Sequence, residues 1–193
     1  MEEKEFNSIV QSEKILYLGT DKNRIKRWKR SHHKRYTIWK YLYYFRCCQY
    51  WRDVRKNPPA GTIAKRLAKY RFLYYDKKRN IYSEKSGVEI GIDSSIGINP
   101  DIWHSGIVIN GDIGDNCTFH GNNILGNKGK GNETLKPVIG NNVDIGAGAI
   151  IIGNVKIADD CIVGAGAVVT KSFETPGSVI AGVPGKVIKS REN

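Results

Sequence analysis

The chain has 193 residues, 40% apolar and 26% charged, a composition that fits one medium domain or two small units and excludes a disordered polymer. Its net charge of +12 is lopsided: residues 1–86 hold 23 Lys and Arg against 8 acidic residues, whereas residues 87–193 hold 8 against 11. Adjacent Cys47 and Cys48, with Cys117 and Cys161 at apolar repeat positions, do not form a disulfide framework, and the lack of any Cys-x-x-Cys pair removes that zinc signature.

Residues 1–80 are expected to be an α-helical, basic region. Its first residues, MEEKEFNSIVQSEK, are acidic and polar and do not read as a secretory signal. Breaks at Leu18–Gly19, Pro58–Pro59 and Ala60–Gly61 predict three helices, at about 3–17, 22–55 and 60–79. The second opens on a basic cluster, Lys22 to Arg35, that includes His32 and His33. Two readings of this cluster stand side by side: a solvated helical face, or a surface for an anionic partner such as a phosphorylated ligand or the inner face of a membrane. No other feature supports nucleic acid, and none is expected as a partner. The run Tyr36–Trp51 is broken by Lys40 and Arg46, too short and too charged to span a bilayer. A cytoplasmic protein, with peripheral membrane contact as the open option, fits these features.

From about residue 81 the grammar changes. Ile139, Ile145, Ile151, Ile157, Val163 and Val169 recur every six residues, with Val143, Ala149, Val155, Cys161 and Ala167 two places before. Ile113, Phe119 and Leu125, and separately Ile90, Ile96 and Ile102, keep the same step. A period of six matches neither a helix nor simple alternation; it matches a parallel β-helix with one short strand per repeat and three repeats per triangular coil. Gly114, Gly140, Gly146 and Gly164 follow the aliphatic residue directly, where a turn is expected to need a backbone angle that glycine allows. The register breaks twice. One break is a step of five from Ile102 to Ile107 around Trp103 and His104, and the other is the polar, Gly-rich segment Asn127–Pro137, expected to leave the coil as a loop.

Three motifs carry a family resemblance: Ile145-Gly-Ala-Gly-Ala-Ile, Val163-Gly-Ala-Gly-Ala-Val-Val-Thr-Lys171 and Ala181-Gly-Val-Pro184. Over residues 82–190 the chain resembles the hexapeptide-repeat acyltransferases, in the branch of the serine acetyltransferases and of the capsule and exopolysaccharide O-acetyltransferases. The resemblance implies a left-handed parallel β-helix over residues 81–193, acetyl-CoA as cosubstrate with no metal, and a homotrimer whose subunit grooves hold coenzyme A. The N-terminal helices then either cap one end of the solenoid or join two trimers.

The same resemblance assigns site residues. His104 falls on the general-base position and Glu89, 15 residues earlier, on the carboxylate that orients it. The chemistry is sound on its own terms: an alcohol must lose its proton as it attacks a thioester, and an imidazole is the usual acceptor. His120 is the rival base or a substrate residue. Amides of Gly126 or Asn127 would hold the oxyanion. Ala147, Gly148, Ala165 and Gly166 would leave room for the pantetheine arm, and Lys171, Lys186 and Lys189 would meet its phosphates.

The chain departs from serine acetyltransferases where they hold the amino acid. The acidic residue before the base is Trp103 here, the Arg-His pair of the loop is Leu135-Lys136, and the segment after His104 is about three residues shorter. An indole beside the base suits the apolar face of a sugar ring, and Lys136 remains as a substrate contact. The expected acceptor is therefore a sugar or a capsular or exopolysaccharide glycan hydroxyl. Serine is the alternative, and a non-catalytic hexapeptide scaffold is the third reading.

Overall fold

The structure, a computed structural model, describes residues 2–58 and 62–191, so the expected break at Pro59–Gly61 and the expected helix start at residue 60 lie outside the described residues. The chain divides into two compact units, Met1–Gly87 and Val88–Asn193.

Among the described residues the first unit holds four helices: α1 (Glu3–Leu18), α2 (Lys22–Arg30), α3 (Lys34–Lys56) and α4 (Thr62–Ser86). Gly19, at φ 65°, ends α1, its N–H returning to the Ile15 carbonyl at 2.8 Å. Asp21 then caps α2, its carboxylate accepting from the backbone N–H of Asn23 and Arg24 at 2.9 and 3.2 Å. The single helix expected over 22–55 is two. His32 sits at φ 51°, which no continuous helix permits, and His33 restarts the chain by accepting from the Arg35 N–H while its ring stacks on Trp28 at 4.1 Å. The last helix also runs beyond the expected 79, to Ser86. On α3, Ile38, Tyr41, Leu42, Phe45 and Cys48 are buried at helical spacing. Buried among them, Arg46 donates to Glu13 of α1 at 2.6 Å and to Gln49 at 3.1 Å.

The second unit is built of short strands: β1 (Val88–Ile90), β2 (Asp101–Ile102), β3 (Ile107–Ile109), β4 (Asp112–Ile113), β5 (Thr118–Phe119), β6 (Ile124–Gly126) and β7 (Val138–Ile139). After them come β8 (Asp144–Ile145), β9 (Ile150–Ile152), β10 (Lys156–Ile157), β11 (Ile162–Val163), β12 (Val168–Val169), β13 (Ser178–Ala181) and β14 (Lys186–Ser190). Every pairing is parallel except the closing hairpin of β13 and β14. The strands form three sheets: a first face β1-β3-β6-β9-β12, a second face β4-β7-β10 and a third face β2-β5-β8-β11-β13-β14. The chain visits the faces in turn, so the unit is a triangular β-helix of five coils.

Inside, the six-residue register becomes three stacked columns. Ile90, Ile109, Leu125, Ile151 and Val169 line the first face. Ile96, Ile113, Ile139, Ile157 and Phe173 line the second. Ile102, Phe119, Ile145, Val163 and Ile180 line the third. All fifteen are buried, and each coil covers the apolar face of the one before.

Two expectations about the corners are corrected. The glycines after the aliphatic residues carry no positive φ; they are small because coils approach closely, so that a Cβ on Gly114 would lie 2.6 Å from the Gly140 carbonyl carbon and one on Gly146 2.5 Å from the Ala165 nitrogen. The left-handed backbone falls at other positions, among them glycines such as Gly121, Gly148 and Gly166 and a ladder of Asn99, Asn116, Asn142 and Asp160, at φ 53 to 60°, whose side chains hydrogen-bond from coil to coil. The break after Ile102 is also different in kind. Ile107 pairs with Val88, and Ile109 is the residue in column, so the step from Ile102 is seven rather than five. The turn containing His104 carries one extra residue compared with the equivalent turns from Phe119 to Leu125 and from Ile145 to Ile151.

Candidate active site

One corner of the triangle, between the third and first faces, brings together Trp103, His104 and His120. Trp103 and His104 leave β2 there, His120 and Gly121 leave β5 one coil on, and Gly146-Ala147-Gly148 and Gly164-Ala165-Gly166 follow on the next two coils. The extra residue in the first of these turns pushes the His104 loop outward, and His104 is exposed. Its backbone rests on the next coil, with a Cβ on Gly121 falling 2.6 Å from the Cβ of His104. Gly121 is at φ 120° and is held by buried Asn123, whose Oδ1 accepts from the Gly121 N–H at 3.0 Å and whose Nδ2 donates to the Gly146 carbonyl at 2.8 Å. Ala147, Ala165 and Gly166 are exposed, so the corner continues as a lane of small residues beneath the two histidines.

The imidazole with a carboxylate partner is His120. Its Nε2 lies 2.7 Å from Asp144 Oδ1, and the Trp103 ring stands 4.3 Å from its own at 47°. Trp103 in turn donates from Nε1 to Asp101 Oδ2 at 2.8 Å. Asp101, Thr118 and Asp144 share one outward column of the third face. Sequence reasoning missed Asp101, Asp144 and Asn123. Asp144 was detectable only by carrying the columns across the loop, because the loop places it 24 residues from His120, well over one coil.

Other expected site residues lie apart from this corner. Glu89 points outward from β1, level with Val108, and no hydrogen bond joins it to His104. Gly126 and Asn127 stand at the far end of the first face, where the segment Asn127–Pro137 does leave the coil as a loop. Asn127 shapes that loop, its Oδ1 accepting from the Gly129 N–H at 2.9 Å, and Glu133 accepts from the Gly131 N–H, which lowers its carboxyl from the ordinary value. Lys136 closes the loop base, donating to the Asp93 carbonyl at 2.7 Å and lying 3.9 Å from Asp112, away from Trp103 and His120. Lys171 lies over the Phe173 ring, and Lys186 is exposed on β14. Within one chain, then, the loop and the histidine corner occupy opposite edges of the first face. Among the described residues no helix is long and apolar enough to cross a membrane.

Comparison with known proteins follows the same outline. Residues 136–171 match the family described as bacterial transferase hexapeptide, six repeats. Serine acetyltransferase of Staphylococcus aureus is 41% identical over 75 residues, 37% of this chain and 35% of the relative, and that of Synechococcus elongatus is 36% identical over 78 residues, 39% and 32%. The chain thus spans about a third of the length of these curated relatives. Serine acetyltransferase of Brucella abortus superposes with a TM-score of 0.73 at 20% identity, covering 98% of this chain and 71% of that one. The Neisseria gonorrhoeae enzyme gives 0.70 at 25% identity, covering 99% and 68%. The fold is the left-handed β-helix of hexapeptide repeats preceded by helices, and the likeness is to the serine acetyltransferase branch.

Proposed function

We propose that this chain is an acetyl-CoA-dependent O-acetyltransferase that uses His104 as general base. The observation that carries this reading is the corner itself: an exposed histidine on a lengthened turn whose backbone packs against Gly121, beside a lane of exposed alanine and glycine. His104 takes the proton from the acceptor hydroxyl as its oxygen attacks the thioester carbonyl. The tetrahedral intermediate places its negative charge on the former carbonyl oxygen, where backbone N–H groups stabilise it. Collapse breaks the carbon–sulfur bond, and the imidazolium returns its proton to the departing thiolate, leaving an acetyl ester and coenzyme A.

Gly126 and Asn127, the expected oxyanion donors, sit across the first face from His104 of the same chain, so the complete site needs a second copy, in keeping with a homotrimer. Glu89 enters this reading through the family resemblance alone, as the carboxylate expected to orient the His104 ring.

Serine is the acceptor that the comparisons favour, since the matched relatives are named serine acetyltransferases. This reverses the weighting that the sequence departures suggest. A sugar or glycan hydroxyl stays as a second reading on one observation, the exposed Trp103 indole at the mouth of the corner. The test is thiol release from acetyl-CoA with serine and with a panel of glycosides. Serine turnover that falls about 10²- to 10⁴-fold in His104→Ala supports the reading. Turnover on glycosides alone moves the acceptor to a sugar. Turnover on neither leaves a scaffold.

A further inference from the structure

Four side chains at this corner take no part in the proton transfer once His104 is the base: Asp101, Trp103, His120 and Asp144. We infer that His120, oriented by Asp144 and covered by Trp103, is an acceptor-positioning residue that receives a hydrogen bond from a donor group the acceptor carries next to its reacting hydroxyl. The inference rests on the acetyltransferase reading and extends it to the acceptor.

The tautomer follows from the pairing. An ionised carboxylate only accepts, so the 2.7 Å contact with Asp144 puts the hydrogen on His120 Nε2. In the neutral ring Nδ1 then carries a lone pair, and nothing among the described residues bonds to it. Both flanks of the ring are restrained, by Asp144 on one side and by Trp103, itself tied to Asp101, on the other. The restraint is spent at the surface: side chains of His120 and Asp144 are 29% and 37% exposed, and Trp103 is 46% exposed. An exposed hydrogen bond between a neutral imidazole and a carboxylate stabilises a fold by little, so a brace between coils is a poor account of such an ordered cluster. A half-open imidazole with one nitrogen fixed and the other vacant is instead a preorganised acceptor.

Position and charge define the ligand. His120 immediately precedes Gly121, the residue against which His104 rests, so the two rings rise from adjoining coils, about 4.8 Å apart along the axis. A group bound at His120 therefore lies next to the hydroxyl delivered to His104. With carboxylates at Asp101 and Asp144, the local field favours a donor and opposes an anion. The α-ammonium of serine and a vicinal hydroxyl of a sugar share this chemistry, and separate arms of one experiment tell them apart.

The experiment measures acceptor KM, acetyl-CoA KM, kcat and melting temperature for the wild type, His120→Ala, His120→Gln and Asp144→Ala. One arm compares serine with 3-hydroxypropionate, which lacks the ammonium. The other compares a methyl pyranoside with its derivative deoxygenated beside the reacting hydroxyl. In the wild type the donor-lacking partner is expected to show a KM about tenfold higher, one hydrogen bond's worth of discrimination. In His120→Ala that gap closes, acetyl-CoA KM stays within twofold, and melting is unchanged; His120→Gln, which keeps an acceptor atom, restores part of the gap. Active variants that keep the full gap, or that lose only thermal stability, overturn the inference and leave the acetyltransferase reading intact. A wild type that acetylates no hydroxyl acceptor overturns both.

Discussion

Gly121→Ala separates the role of His104 from the stability of the solenoid. At φ 120° an L-residue is strained, and the new Cβ would sit 2.6 Å from His104 Cβ and 3.2 Å from the Ser105 carbonyl oxygen. Carbon atoms rest at about 3.5–4.0 Å, so the His104 backbone must retreat by about 1 Å. A displacement of that size at a reacting group lowers turnover about 10²-fold. The backbone strain costs about 1–3 kcal/mol, which lowers the melting temperature by about 2–4 °C per kcal/mol in a chain of this size. Gly177→Ala supplies the control, because Gly177 is also left-handed, at φ 68°, but a Cβ there meets nothing within 4 Å. Steady-state kinetics and thermal melting of both variants are the assay. A roughly hundredfold fall in kcat for Gly121→Ala alone, with both variants similarly destabilised, fits His104 as the base. Turnover within twofold of wild type in Gly121→Ala, despite a lowered melting point, would refute the placement of the reaction at His104.

Other expectations concern the fold. Glu13→Ala leaves Arg46 buried without its carboxylate, and chemical denaturation of the helical unit is expected to show a loss of about 3–5 kcal/mol. Phe119→Ala opens a void in the third-face column, where Phe119 is fully buried, at a cost of about 3–5 kcal/mol in the same measurement. Burial pushes the thiols of Cys47 and Cys117 up to about 11 and that of Cys48 up to about 12, from an ordinary 9.0. Raised folded values mean that the unfolded chain ionises first, so this contribution is complete below about pH 9 and is lost as pH climbs toward 11–12. Urea midpoints should fall across that window, and a thiol reagent at pH 7.5 should label no cysteine until the protein is denatured; labelling of the native protein at the rate of free thiol contradicts this burial.

Much of the solenoid was legible because the aliphatic period of six is itself the packing rule: each Ile or Val at that step, from Ile139 to Val169, became one member of an internal column. The corners were harder. Glycine after the aliphatic residue looked like a conformational need, yet Gly114 and Gly146 answer to the distance between coils, which no single repeat reveals. Asparagine can turn left-handed without announcing it, so the ladder from Asn99 to Asp160 passed unread. The same holds for His32, whose positive φ divides a run rich in helix-forming lysine and arginine.

At the site, His104 and the small residues of the two Gly-Ala-Gly motifs lie along one corner, whereas the sequence linked them only through the family resemblance. The His120–Asp144 pair stayed hidden because the ten-residue excursion between Gly126 and Pro137 breaks the count between them. Lys136 was placed with the substrate by analogy with the loop of serine acetyltransferases; its ammonium is instead engaged by Asp93 and Asp112 at the loop base. The positions proposed for the cofactor lie on two edges of the first face, and in the proposed site they meet only across a neighbouring copy.

A structure determined with coenzyme A bound addresses the chemistry at its source. The thiol should lie within hydrogen-bonding reach of the His104 imidazole, its pantetheine arm along Ala147, Gly148, Ala165 and Gly166, with the loop of a second subunit closing over it. Coenzyme A seated at another edge of the triangle, or a His104 ring facing solvent while the thiol is held elsewhere, would contradict that arrangement.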